Sequence, residues 1–80
     1  MTPEQCRAAR ALLDLSQAEL AAEAGLGLST VVDFERSRRQ VSIEAIGAID
    51  RALTTAGVVF IDENGGGAGV RLRKGRSRKR

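Results

Sequence analysis

The apolar positions of the chain follow two regimes. Up to residue 56 they recur at steps of three and four, the period of a helix. Beyond it, β-branched and aromatic residues gather and then alternate with basic ones, the period of a strand. Cys6, Ala8, Ala9, Leu12 and Leu13 mark the apolar face of a first helix over Pro3–Leu13. Thr2 caps it, Pro3 suits the first helical position, and Gln5 completes a capping box. Ser16-Gln17-Ala18-Glu19 is a second capping box, followed at helical spacing by Leu20, Ala21 and Ala24. Gly25 ends this helix, Gln17–Ala24, because glycine takes the left-handed conformation at little cost. A third helix is predicted from residue 27 or 28 to about residue 37. Leu26, Val31 and Phe34 lie on its buried side, and Leu28, Ser29, Val32, Asp33 and Arg36 on the other. Ser42 caps a fourth helix that runs to Ala56 with Ile43, Ile46, Ile49, Ala52 and Leu53 as its apolar stripe, and Gly57 stops it.

The segment GVVFIDENGGGAGVRLRKG then reads as a β-hairpin with a long, glycine-rich loop. Its strands are predicted at Val58–Ile61 and at residues 70–73. GGGAG lacks the Lys-Ser/Thr of a phosphate-binding loop and precedes a strand rather than a helix, so it reads as a turn. The closing KGRSRKR has too much charge and too little apolar content to fold alone. The organisation that follows is a helical bundle over 1–57, a hairpin over 58–73 that is a possible dimerisation element, and a disordered basic tail over 74–80.

Composition narrows the function. Eighty residues make one small domain, and a chain this short buries only about 60–65% of its unfolded surface. With no Trp, no Tyr and two Phe, the core is built from Leu, Ile, Val and Ala. One Cys and no His exclude a zinc finger, a disulfide framework and a Cys–His catalytic pair. Cys6 is expected to be a buried or half-buried thiol, with redox sensing as the minor alternative. No apolar run is long enough for a membrane span and no secretory signal is evident, which points to the cytoplasm. The charge is divided: the first 70 residues hold 6 basic and 10 acidic side chains, and the last 10 hold 7 basic ones. A mildly acidic body with a dense basic tail suits a polyanionic partner, most often nucleic acid.

Two short helices joined through Ala24-Gly25-Leu26-Gly27 have helix-turn-helix spacing. Ala21 and Ala24 are small enough for close crossing, and Leu20, Leu26, Val31 and Phe34 fill the angle. Here the chain resembles the Cro and phage-repressor type (XRE-type) helix-turn-helix regulators. The matching residues are Arg10 with Leu12-Leu13, Leu15-Ser16-Gln17, Glu19-Leu20-Ala21, Ala24-Gly25-Leu26, Ser29-Thr30-Val31, Phe34-Glu35, and Ile46 through Leu53. The resemblance covers about residues 3–57. It implies a mainly α fold, a small four-helix lambda-repressor-like bundle, that binds operator DNA, commonly as a dimer. It implies that Ser16 and Gln17 hold a phosphate at the start of the second helix, where free N–H groups and the helix dipole favour an anion. It implies that Leu28, Ser29, Val32 and Asp33 meet bases with Thr30 near the backbone, and that Arg10 and Glu35 form an internal ion pair.

Three positions depart from the family pattern. Gly27 replaces a capping side chain, Ser37 stands where Gly is frequent, and Val41 where Pro is frequent. The reading face itself has no Arg, Gln or Asn and so lacks the bidentate partners of G and A. Leu28 and Val32 suit thymine methyls, Ser29 either kind of base, and Asp33 cytosine N4. Affinity is therefore expected from phosphate contacts by Gln17, Arg36, Arg38 and Arg39, and by Lys74, Arg76, Arg78, Lys79 and Arg80 of the tail. Val58, Val59, Phe60, Ile61, Val70 and Leu72 of the hairpin are the candidate dimer contacts, beside packing on the fourth helix, with a hairpin packed only on its own domain as the alternative.

The leading reading is a homodimeric, sequence-specific transcriptional regulator that places its third helix in the major groove of a palindromic operator. The alternative is a protein-interaction module such as an antitoxin or anti-activator, which the apolar Leu28/Val32 face also suits. RNA is a third candidate partner, since a basic tail does not distinguish it from DNA. No nucleophile–base pair, metal cluster, cofactor fingerprint or small-molecule site is evident, so the chain is not expected to be an enzyme.

Overall fold

The computed structural model describes residues 1–73; the tail assigned to residues 74–80 lies outside the described residues. Four helices come first: α1 (Pro3–Leu13), α2 (Gln17–Ala24), α3 (Leu28–Glu35) and α4 (Ile43–Ala56). Two strands follow, β1 (Val58–Ile61) and β2 (Gly69–Leu72), paired antiparallel with Val58 opposite Leu72 and Ile61 opposite Gly69. The mainly α fold with a C-terminal hairpin is the one that the periodicity predicts.

Local chemistry sets the helix limits. The Thr2 hydroxyl accepts from Gln5 N at 3.1 Å while Gln5 Oε1 accepts from Thr2 N at 2.8 Å. Ser16 and Glu19 repeat the arrangement at 3.0 and 2.8 Å. These reciprocal bonds satisfy two orphan donors at each helix start. Gly25 closes α2 at φ +71°, and Leu26 N returns to Ala21 O at 2.9 Å. Gly27 gives α3 no side-chain cap bond, as its missing side chain requires.

α3 ends two residues earlier than the periodicity suggests. Ser37 takes a left-handed φ of +54°, and Arg38 N reaches back to Asp33 O at 2.9 Å. This is the bond pattern of a glycine-terminated helix, formed here by a serine. β2 lies one residue earlier than predicted, because Gly69 pairs with Ile61. Arg73 falls just beyond the strand, although its N–H still donates to Gly57 O at 2.8 Å.

The core consists of Cys6, Ala9, Leu20, Ala21, Val31, Phe34, Val41, Ala45, Ile49, Leu53 and Val58. Leu13, Leu15, Leu26, Ile46, Phe60, Val70 and Leu72 pack against it. Two expected core positions are corrected. Ala8 is exposed, and Gln5 takes the buried place one turn away. Ile43 is 83% exposed, because at 100° per residue it lies about 120° around the helix from Ile49. α4 buries Ala45, Ile49 and Leu53 instead.

The hairpin packs on both α1 and α4. Val58, Phe60, Val70 and Leu72 share its inner face by register, and Val59, Ile61 and Arg71 share the outer one. Gln5 fastens the far end, since its Nε2 donates to Ile61 O at 3.1 Å and to Gly69 O at 2.9 Å. The loop folds around an acidic side chain, Glu63 accepting from Gly65 N and Gly67 N, each at 3.1 Å.

A non-glycine residue at positive φ costs about 1 kcal/mol against glycine. Ser37→Gly is therefore expected to stabilise the domain by roughly 0.5–1 kcal/mol, read as a higher urea midpoint at unchanged m-value. A midpoint equal to or below that of the wild type would show that the Ser37 backbone carries no strain.

Candidate nucleic-acid interface

The angle between the short helices α2 and α3 depends on what holds α3. Val31, Phe34 and Glu35 form its inward stripe, so a carboxylate occupies an apolar row. Glu35 is 1% exposed. Its Oε2 accepts from Arg10 Nε at 2.7 Å and from the Cys6 thiol at 3.1 Å. Its Oε1 accepts from Arg10 Nη2 at 2.8 Å and from Gln17 Nε2 at 3.0 Å. Arg10 also donates to Leu15 O at 3.1 Å, and the Arg7 guanidinium donates to the Glu35 carbonyl. One carboxylate thus joins α1, α2 and α3. The two-pronged Arg10 contact is the strong, orienting kind.

Burial alone would push the Glu35 carboxyl up. The hydrogen bonds from Arg10, Cys6 and Gln17, with the Arg10 charge, hold it below the ordinary carboxylate range. The Glu35 hydrogen bond in turn raises Arg10, against burial. The Cys6 thiol is pushed well above its usual range, by burial first and then by Glu35. A protonated, 0% exposed thiol is not the accessible thiolate that redox sensing needs.

The outer side of α3 presents the positions assigned to bases. Leu28 is 49% exposed; Ser29 is exposed, and Val32 and Asp33 are half-buried beside it. Thr30 is half-buried one step around the helix. Arg36, Arg38 and Arg39 are exposed just past the end of α3. Asp33 is not a free acceptor: its Oδ2 takes Arg39 Nε at 2.8 Å. This pair joins a residue assigned to bases with one assigned to phosphate.

At the other end of the helix pair, Ser16 is exposed and its oxygen accepts from Glu19 N. The Gln17 amide points inward to Glu35, so its side chain serves the framework, and its backbone N–H is what α2 offers to an anion. Lys74, Arg76, Arg78, Lys79 and Arg80 lie outside the described residues. Sequence reasoning also missed Gln5, Cys6 and Arg7 as polar fasteners. The available signal was Glu35 itself, four residues after Val31 on an otherwise apolar stripe. Among the described residues, no cluster of His, Cys, Asp and Glu is placed to hold a metal ion, and no helix is long and apolar enough to cross a membrane.

Residues 7–56 match a helix-turn-helix family model. The matched span runs from α1 to the last residue of α4 and takes in every fastener of Glu35 except Cys6. Comparison with curated proteins finds no match.

A carboxyl held below its unfolded value, about 4.3, contributes stability that is complete above that value and is lost as pH falls through the folded one. The unfolding free energy should therefore fall from about pH 5 downward, and Glu35→Gln should flatten that fall in urea titrations at several pH values. At pH 7, Arg10→Met leaves a buried carboxylate without its cation and should cost about 3–5 kcal/mol. An Arg10→Met protein as stable as the wild type would show that Glu35 does not depend on the pair.

Proposed function

The chain belongs to the helix-turn-helix family of the Cro and phage-repressor type, and from that premise we propose a sequence-specific transcriptional regulator that binds a palindromic operator as a homodimer. The carrying observation is the outer face of α3. Glu35 anchors the inner side of the helix, and Leu28, Ser29, Val32 and Asp33 are turned away from the core. An exposed helix face held rigidly by a second helix suits the major groove, which admits one helix and displays base edges. Leu28 and Val32 suit thymine methyls, and the Ser29 hydroxyl bonds to either kind of base. Ser16, the N-terminus of α2, Thr30, Arg36 and Arg38 supply backbone contacts, to which the tail cations Lys74, Arg76, Arg78, Lys79 and Arg80 add charge. The bundle of residues 1–57 acts as the reading module, residues 58–73 as the assembly element and residues 74–80 as a basic arm.

The hairpin supports the dimer in a narrower form than the sequence suggests. Val58, Phe60, Val70 and Leu72 are engaged with their own bundle. A second copy would therefore meet the outer face, at Val59 and Ile61, and a free strand edge. A palindromic operator calls for two recognition helices about 34 Å apart, one turn of DNA, and a two-fold dimer is the assembly that presents them so. The half-exposed Leu28 gives the alternative, a protein-interaction module, its one support; duplex binding separates the two.

If the α3 face reads bases, Ser29→Ala and Val32→Ala should each lower operator affinity by roughly 1–2 kcal/mol at unchanged non-specific affinity. Titration of a selected site measures this, and wild-type affinity in both variants would overturn the assignment. For assembly, light scattering at micromolar concentration should give twice the chain mass. Val59→Asp and Ile61→Asp should return the mass to one chain with the helical circular dichroism intact. A wild type that is monomeric with and without DNA would overturn the dimer, and a dimer indifferent to both changes would place the interface on the helices.

A further inference from the structure

α3 lacks a guanidinium among the four positions assigned to bases, yet the chain brings one back to it. Arg39 lies four residues beyond the last residue of α3 and is returned by the left-handed turn at Ser37. Its Nε donates to Asp33 Oδ2 at 2.8 Å, with the Arg39 side chain 52% exposed and that of Asp33 20% exposed. Nη1 makes one long contact, 3.5 Å to Gln40 O. Nη2 has no hydrogen-bond partner among the described residues. The carboxylate therefore grips the base of the fork, at Nε, while the side chain stays half exposed.

Guanine presents two acceptors in the major groove, N7 and O6, that match the parallel N–H groups of a guanidinium tip. We propose that Asp33 and Arg39 form one recognition unit, in which Arg39 reads a guanine and Asp33 is the positioning residue that aims it. Two physical reasons favour a base over a phosphate as the target. A carboxylate 2.8 Å from the guanidinium repels a phosphate brought to the same group, whereas a base edge is neutral overall. Orientation also matters more for a two-acceptor edge than for a phosphate, and the Nε contact restricts a side chain that otherwise loses rotamer freedom on binding. An exposed pair of this kind contributes little to stability, so its geometry is the part with consequence. The same assignment gives Asp33 a role other than accepting from cytosine N4. The unit rests on the DNA-binding reading above.

The test is selection of bound duplexes from a random pool by the wild type, Arg39→Lys and Asp33→Ala, with circular dichroism to show that the helices remain. The best site and its single-base variants are then titrated at several salt concentrations. The wild type should enrich a guanine at one fixed position of each half-site, with discrimination of roughly 5- to 150-fold. Arg39→Lys keeps the charge and Asp33 but loses the paired donors, so that preference should collapse at an unchanged salt slope. Asp33→Ala should weaken the preference while non-specific affinity rises. Two results would overturn the unit alone. One is Arg39→Lys retaining the full guanine preference, as cytosine recognition by Asp33 predicts. The other is an affinity loss that is uniform across sequences, as a phosphate contact predicts. A wild type with no salt-dependent binding to any duplex would overturn the DNA-binding reading first, and the unit with it.

Discussion

The buried carboxylate of Glu35 is the constraint on which the arrangement of this domain depends. A helix of eight residues is too short to be stable on its own. Its position must be set by contacts, and apolar contacts are weakly directional. Glu35 supplies direction. Its two oxygens receive four donors from Cys6, two nitrogens of Arg10, and Gln17. Those donors come from two other helices, so α3 cannot rotate about its axis or slide without breaking several of them together. A buried ion pair is a poor source of net stability compared with apolar packing. Here it fixes which side of α3 faces out.

The same economy of polar fasteners recurs at the hairpin. A two-stranded ribbon is marginal by itself, and its inner face carries four apolar residues of moderate size. Gln5 adds what those residues lack, a bond to each strand near the loop end. This one side chain also caps α1 through Thr2. Cap, helix and hairpin are therefore coupled at one amide. Arg73 gives the opposite end of the ribbon a similar tie, with its backbone N–H on Gly57 O and its guanidinium on Thr54 O at 3.4 Å. The chain has few large side chains to spend on packing, and directional bonds between backbone and side chain do part of that work.

What was legible in the sequence follows from the same physics. The limits of α1, α2 and α4 and the position of β1 were readable because capping boxes, glycine stops and apolar periods are local signals. α3 ran short because its end is set by a backbone conformation at Ser37 that no serine announces. Ile43 looked like core because every isoleucine does; its angle about α4 decides otherwise. The ion pair of Arg10 with Glu35 entered through family resemblance, whereas the convergence of Cys6 and Gln17 on the same carboxylate required three helices to be placed first. The turning of the Gln17 amide inward shows the general limit. A polar residue at a helix start is equally suited to an anion outside and to a buried acceptor inside, and only the fold chooses.

The division of charge then acquires a physical logic. Most of the basic residues fall in two stretches of the sequence, residues 36–39 after α3 and residues 71–80. The exposed face of α3 is nearly neutral, since its one carboxylate is matched by Arg39. Long-range attraction to a polyanion depends on net charge and is indifferent to base sequence. Discrimination between bases depends on short-range fit and is weakened when a face is so positive that every sequence binds. In the proposed interface, the exposed Arg36 and Arg38 past the end of α3 and the apolar groups, hydroxyl and restrained guanidinium on its outer face divide the two tasks between them. On such a surface the margins govern encounter and salt dependence, and the centre governs which of the encountered sites is kept.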